Sequence, residues 1–313
     1  MPRGWWFWLI AFLGALMLPM VHGGDYFLGV CVLFAIYAST NLMWSLVLGT
    51  AGIPSFATLA IVGTAAYVAA YLALTYDLGV VLTLPIAAGV GAVAGLLVAT
   101  PAIRLRGIYF ALFTLGLAEL CRSIVLQSET LGETLGLSTA QGLLPDTVSP
   151  DLGPYLEYYI ALVLLLGALV VHAVVQQGRL GLLLTTARES EPVAQAMGID
   201  VVRMRLAVFV VSSTVLGLVG GFYAAFYRGV SPSIFDFDLL LLLLAMTVVG
   251  GIGSRRGILA GTALLLFIDQ HFLESGPDRL VAIGVIMLVI TIAAPDGLAG
   301  VPRQLRRLAT RPA

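Results

Sequence analysis

The sequence predicts an all-α, polytopic membrane protein with about ten transmembrane helices. Three observations carry that expectation. Of 313 residues, 60% are hydrophobic and 11% charged, with a mean hydropathy of +1.03; an ordinary soluble domain has roughly 45–50% apolar and about 25% charged residues. The apolar residues fall into successive runs close to the length of about 20 residues that a helix needs to cross a bilayer's hydrocarbon core. The charges between those runs segregate by sign on alternate sides.

In chain order the spans read 5–21, 27–48, 53–75, 79–100, 107–127, 155–175, 204–227, 237–251, 257–273 and 279–295. No A-x-A cleavage site follows the first run, and His22-Gly23-Gly24-Asp25 leads directly into the second, so the first reads as a span rather than a signal peptide. The third opens on Gly49-Thr50-Ala51-Gly52-Ile53-Pro54, a helix-breaking stretch. The eighth is short, and Gly250-Gly251-Ile252-Gly253 predicts a broken turn at its end. Two long connections remain, 128–154 and 176–203, within what reads as one transmembrane domain over 1–313. The first of them is polar with Gly and Pro and is expected to pack on the outer face.

The positive-inside rule tests the count. With the N-terminus cytoplasmic, the inner segments hold Arg3, Arg104, Arg106, Arg179, Arg188, Arg203, Arg205, Arg255, Arg256, Arg303, Arg306, Arg307 and Arg311. Arg228 and Arg279 fall outside, with Arg122 near the outer end of the fifth span. Most acids lie on the outer side: Asp25, Asp77, Glu129, Glu133, Asp146, Asp151, Glu157, Asp236, Asp238, Glu274 and Asp278. One miscounted helix would scramble this pattern, so an even number of spans with both termini cytoplasmic is expected.

All 16 basic residues are Arg; the chain has no Lys. That removes a Walker A P-loop, a lysine Schiff base and a Ser–Lys dyad. Cys31 and Cys121 sit in apolar runs and read as packing residues. His22, His172 and His271 lie far apart in the sequence and form no ligand spacing, so no metal site is expected. A net charge of −1 gives no reason to expect a nucleic-acid partner. Within the spans, Glu119 and Arg122 share a helical face and read as a packing pair. Asp269, in the ninth span, is expected to reach the interface.

The inner connection carries the clearest local signal. Ser190 suits an N-cap, Pro192 the first turn, Glu191 the positive helix end, and Gly198 the C-terminal stop. A short amphipathic helix over 191–197 would present Val193, Ala194 and Met197 as a semi-exposed apolar face. Such a helix fits either a groove on a cytoplasmic partner or the lipid interface.

The run Gly178, Arg188, Glu189, Glu191, Ala194, Gly198, Arg205 and Phe209 resembles a signature of the branched-chain amino acid ABC transporter permeases, M-type subunit of the leucine/isoleucine/valine family. The same order continues through Ser212, Gly217, Gly220, Gly221, Tyr223, Ser231-Pro232, Val249-Gly250-Gly251-Ile252-Gly253-Ser254 and Gly257. Upstream, Arg104-Leu105-Arg106-Gly107-Ile108-Tyr109-Phe110-Ala111-Leu112 with Thr114-Leu115-Gly116 and Glu119 is similar to the family's fourth-to-fifth-span corner. Asn41-Leu42 with Gly49, Gly52, Ser55, Gly63 and Tyr67 matches in the same way.

The resemblance implies a multi-pass permease of a bacterial inner membrane, importing branched-chain or other hydrophobic amino acids by alternating access. It implies no ATPase site and no cofactor on this chain, ATP and Mg being held by two ATP-binding-cassette subunits. A second permease subunit and a periplasmic substrate-binding protein complete the implied assembly. Arg188, Glu189, Glu191, Ala194 and Gly198 would form the coupling element.

For the solute path, Asn41 and Ser45 lie one turn apart, and the break at Gly49–Ser55 leaves irregular backbone that a membrane tolerates only beside protein or a watery cavity. Broken helices of this kind suit an amino acid's carboxylate. The candidate set is Asn41, Ser45, Gly49, Gly52, Ser55 and Thr58, with close helix packing as the competing reading of the small residues. The family commonly has Gly-Gln-Leu-Ser-Leu-Gly where this chain has Gly52-Ile53-Pro54-Ser55-Phe56-Ala57, which leaves urea or short amides as alternative solutes. A self-contained secondary transporter would need more charge at mid-membrane, and a membrane enzyme a convergent set of reactive groups that the sequence does not assemble.

Overall fold

The computed structural model describes residues 14–19, 24–103, 105, 107–139, 142–145, 148–149, 151–272, 278–293 and 297–300. The helices are α1 (Asp25–Ser45), α2 (Thr58–Tyr76), α3 (Val80–Ala99), α4 (Ile108–Leu126), α5 (Gly153–Gln177), α6 (Arg179–Glu189), α7 (Glu191–Ala196), α8 (Val201–Phe226), α9 (Phe237–Gly250), α10 (Arg255–His271) and α11 (Asp278–Ala293). Among the described residues, six helices are long and apolar enough to cross a membrane: α1 with its extension to Thr50, α2, α3, α4, α5 and α8. α9, α10 and α11 stand where the last three spans were expected and, at 14, 17 and 16 residues, close to the expected lengths, although each is shorter than those six. The first expected span, 5–21, lies outside the described residues except for helical residues 14–19. Arg3, Arg104, Arg106, Asp146, Glu274 and the C-terminal arginines from Arg303 onward also lie outside them.

α8 is the packing centre. Lipid tails are as apolar as leucine, so helices associate in a bilayer by close van der Waals fit rather than by escape from water. Ser213, Gly217 and Gly221 recur every four residues on one face of α8 and meet Ala87, Gly91 and Gly95 of α3. A Cβ on Gly217 would stand 2.9 Å from the Gly91 Cα, and one on Gly91 would stand 2.7 Å from the Gly217 Cα. Gly220, on the neighbouring face, meets Val62 and Ala66 of α2 in the same fashion. Gly217 and Gly220 of the family-like run are thus contact points between backbones.

The remaining helices wrap this centre. α1 is buried over most of its length, whereas α3 and α4 turn long apolar faces outward, with Val81, Leu97, Tyr109 and Leu112 exposed. α5 lies along α1 through Ala161, Leu165, Ala168 and His172. α9 and α10 approach backbone to backbone at Gly250, Gly257 and Gly261. Cys31 and Cys121 are unbridged and pack against the core.

The connections sort onto two ends. Leu137 pairs with Val230 and Ser138 with Gly229 in a two-stranded antiparallel ladder, β1 with β2, which joins the 128–152 connection to the one after α8. The expected outer loop is therefore partly ordered by strand pairing. Asp25, Asp77, Glu129, Glu133, Asp151, Glu157, Asp236 and Asp238 gather at that end, with Arg122 and Arg228. Arg179, Arg188, Arg203, Arg205, Arg255 and Arg256 gather at the opposite end. Arg122 pairs with Glu119 at 3.2 Å, as their shared helical face expected, and also with Asp236 at 3.1 Å, a bridge not foreseen that ties α4 to the start of α9. Asp269 departs from expectation: it is buried within α10 rather than reaching the interface, because α10 turns that face onto its neighbours.

Replacing Gly217 by Val should force α3 and α8 apart. The expected result is loss of a monodisperse species in detergent, read by size-exclusion chromatography. Gly167→Val, at a site with no atom within 4 Å of the added carbon, should elute unchanged.

Candidate functional site

α1 does not end cleanly. Its last turn widens into a π-helix over Leu46–Thr50, and the chain then runs without regular structure to Ala57 before α2 begins at Thr58. The helix-breaking stretch expected at 49–54 is present, but residues 53–57, assigned to the third span, are not helical. The reason is local: Gly52 takes φ +70°, and Pro54 has no amide hydrogen to continue a helix.

A broken helix end exposes carbonyls that hydrocarbon cannot solvate; three side chains donate to carbonyls of this one, and further bonds fasten it to its neighbours. The Arg188 Nη1 donates to the Gly49 carbonyl at 2.9 Å. The Arg205 Nε donates to the Ala51 carbonyl at 3.3 Å. The Trp44 indole donates to the Ser55 carbonyl at 2.7 Å. The Phe56 amide donates to Thr114 Oγ1 at 2.9 Å, fastening the segment to α4. The Gly253 amide donates to Ser45 Oγ at 3.1 Å, while the Gly253 carbonyl accepts from Gln176 Nε2 at 2.7 Å. Gly49 packs tightly: a Cβ there would stand 3.1 Å from Ile252 Cγ2.

The expected solute-path residues divide between this corner and the helix packing above it. Ser45, Gly49, Gly52 and Ser55 all belong to the corner. Thr58 opens α2 and is buried. Asn41 lies deeper, wholly buried, and its Nδ2 donates to Thr262 Oγ1 of α10 at 3.0 Å. An apolar cavity of about 380 Å³ opens instead between α2 and α4, toward the acidic end, lined by Thr64, Tyr67, Cys121, Ile124, Leu131 and Phe235.

The inner connection is more ordered than expected. In place of one short helix at 191–197, it forms α6 and α7 on either side of Ser190. The sequence carried a signal for α6: Gly181, Leu184 and Ala187 recur every three residues and are its buried positions. Ser190 occupies the N-cap of α7, but its side chain makes no capping hydrogen bond. Gly198 stops the helix at φ +80°, as a left-handed terminator does. The expected apolar face splits: Ala194 is buried in the core, whereas Val193 and Met197 are exposed. Of the expected coupling residues, Arg188 turns inward to Gly49. Glu189 and Glu191 have helical backbones, and their side chains lie outside the described residues. Gln176 was not foreseen, and its signal was weak, since a lone Gln at a helix end has many uses.

Trp44→Phe keeps the ring and deletes the bond to the Ser55 carbonyl. The expected cost is about 1 kcal/mol, read as faster amide exchange across 51–57 and a small drop in melting temperature.

The chain matches, over residues 26–294, the family described as branched-chain amino acid transport system / permease component. It is similar to the high-affinity branched-chain amino acid transport system permease protein LivM of Escherichia coli, 29% identical over 302 residues, covering 89% of this chain and 71% of the relative. The LivM protein of Salmonella typhimurium is 29% identical over 297 residues, covering 87% of this chain and 70% of the relative. A probable branched-chain amino acid transport permease protein LivH of Methanocaldococcus jannaschii is 29% identical over 302 residues, covering 86% and 92% respectively. No solved structure matches the chain.

Proposed function

Since the chain belongs to the branched-chain amino acid transport permease family, we propose that it is the membrane permease subunit of an ATP-binding-cassette importer for branched-chain or other hydrophobic amino acids. It works beside a second permease subunit, above two ATPase subunits that hold ATP and Mg, and receives solute from a periplasmic binding protein. The arginine-rich end faces the cytoplasm of a bacterial inner-membrane cell, as the positive-inside rule requires.

The observation that carries the coupling half of this reading is the build of α6 and α7. They are too short to cross a membrane, stand at the arginine-rich end, and present Val193 and Met197 outward while Ala194 anchors them to the core. Two exposed apolar side chains on a short helix suit a groove on another protein. On this reading, closure of the ATPase subunits displaces α7. The displacement biases the permease between two states that differ in affinity for its partners, which any ligand-driven shift requires.

The complete transporter, reconstituted in proteoliposomes, should take up leucine, isoleucine or valine with ATP inside. Preference for urea or a short amide would move the solute assignment to the alternative noted from the Gly52–Ala57 departure. Uptake by this chain alone under an ion gradient would refute the ATPase-driven reading. Val193→Asp with Met197→Asp should weaken retention of the ATPase subunits about tenfold or more, as truncating interface anchors does. Co-purification measures this, and binding of the second permease should be unchanged.

A further inference from the structure

We propose that Arg188 and Arg205 are positioning residues that transmit motion of α6 and α7 to the cytoplasmic end of α1. This rests on the reading of the chain as a permease driven by separate ATPase subunits.

The argument begins with the end of α1. The final carbonyls of a helix have no partner within it and carry the negative end of the helix dipole. The π-turn makes this end unusual: the Ala51 amide reaches back to the Leu46 carbonyl, and the Ile53 amide to the Val47 carbonyl, so the chain leaves the helix sideways. Two guanidinium groups meet the carbonyls left over. They come from different bodies. Arg188 stands in the last turn of α6, outside the membrane-spanning set, and binds Gly49. Arg205 stands in the first turns of α8, the packing centre of the molecule, and binds Ala51.

The two contacts lie two residues apart on the same strand of backbone. One is made from the element that would be displaced, and the other from an element locked by the Gly217–Gly91 and Gly220–Ala66 approaches. A push on α7 passes through Ser190 into α6 and so to the Gly49 peptide, while Arg205 holds the Ala51 peptide against α8. Relative motion then bends the chain between them. That stretch leads directly to Ser55 and Phe56, which Trp44 and Thr114 hold. A Cβ added at Gly52 would stand 3.7 Å from the Arg188 Cδ, so the aliphatic part of that side chain lies beside the hinge. The exposed position of Arg188 makes a purely structural role less demanding of it than of a buried side chain.

The test uses Arg188→Ala, Arg188→Lys and Arg205→Ala, each in the complete transporter in proteoliposomes and each as the full chain in lipid nanodiscs. In nanodiscs, Arg188→Ala should speed amide exchange at Ala51 and Ile53 by about tenfold, the range expected on losing one charge-assisted hydrogen bond. Exchange through 212–226 should stay at the wild-type rate. In proteoliposomes, Arg188→Ala should keep ATP hydrolysis within about twofold of wild type and lower uptake per ATP about tenfold, with Arg188→Lys recovering part of the loss. Arg205→Ala should likewise lower uptake per ATP. Unchanged exchange at 51–53, or uptake and hydrolysis falling in proportion, would overturn the proposal. A wild-type complex that moves no amino acid would overturn the transporter reading instead, and the exchange measurement would still decide whether Arg188 holds the hinge.

Discussion

Hydrocarbon offers neither donors nor acceptors, so each place where the chain leaves a helix inside or beside a membrane must be closed by the protein's own groups. The stretch from Leu46 to Ala57 is the severest case. Arg188, Arg205, Trp44 and Thr114 bind its backbone, and Gly253, itself held by Gln176, binds the Ser45 hydroxyl just before it. The groups that bind the stretch itself come from α6, α8, α1 and α4, so four elements converge on one short piece of backbone. The position of α6 and α7 follows from this requirement as much as from their own burial.

The second organising device is steric. α8 reaches α3 and α2 through glycine and serine, and α9 reaches α10 through glycine. Such contacts bring backbones close enough for dispersion forces to hold helices that have no hydrophobic reason to leave lipid. They also mark which helices are held backbone to backbone. The α2–α3–α8 group is locked along its length, whereas α6 and α7 are joined to it by Ala194, by Leu184 and Ala187, and by the arginine contact at Gly49. A mechanism that moves one against the other needs this contrast.

Much of the fold was legible because the membrane imposes simple rules. Length and hydropathy located α1 to α5 and α8 to α11 to within a few residues, the exception being the start of α2. The breaker at Gly49–Pro54, the turn at Gly250–Gly253 and the stop at Gly198 were legible because glycine and proline act locally. α6 was missed because its buried stripe, Gly181, Leu184 and Ala187, is narrow and is blurred by neighbouring leucines such as Leu180 and Leu182, which are exposed. The strand pairing of Leu137 with Val230 was missed because two-residue strands leave no periodicity.

Within the candidate site, residue types were legible and partnerships were not. Arg188 was expected to face another protein, and a guanidinium at that position reads the same whether it points outward or inward. Asn41 and Asp269 illustrate the same limit, since a polar residue in an apolar helix shows that something polar is near without showing what. By itself, the sequence determined that this is a multi-span helical membrane protein, with its arginines gathered at one end and its helix breaks at known positions. Only the tertiary structure decided that one of those breaks is held by arginines from two different helices. Hydrogen bonds across 139 and 154 residues of separation depend on how helices pack, and helix packing is not encoded in any local pattern.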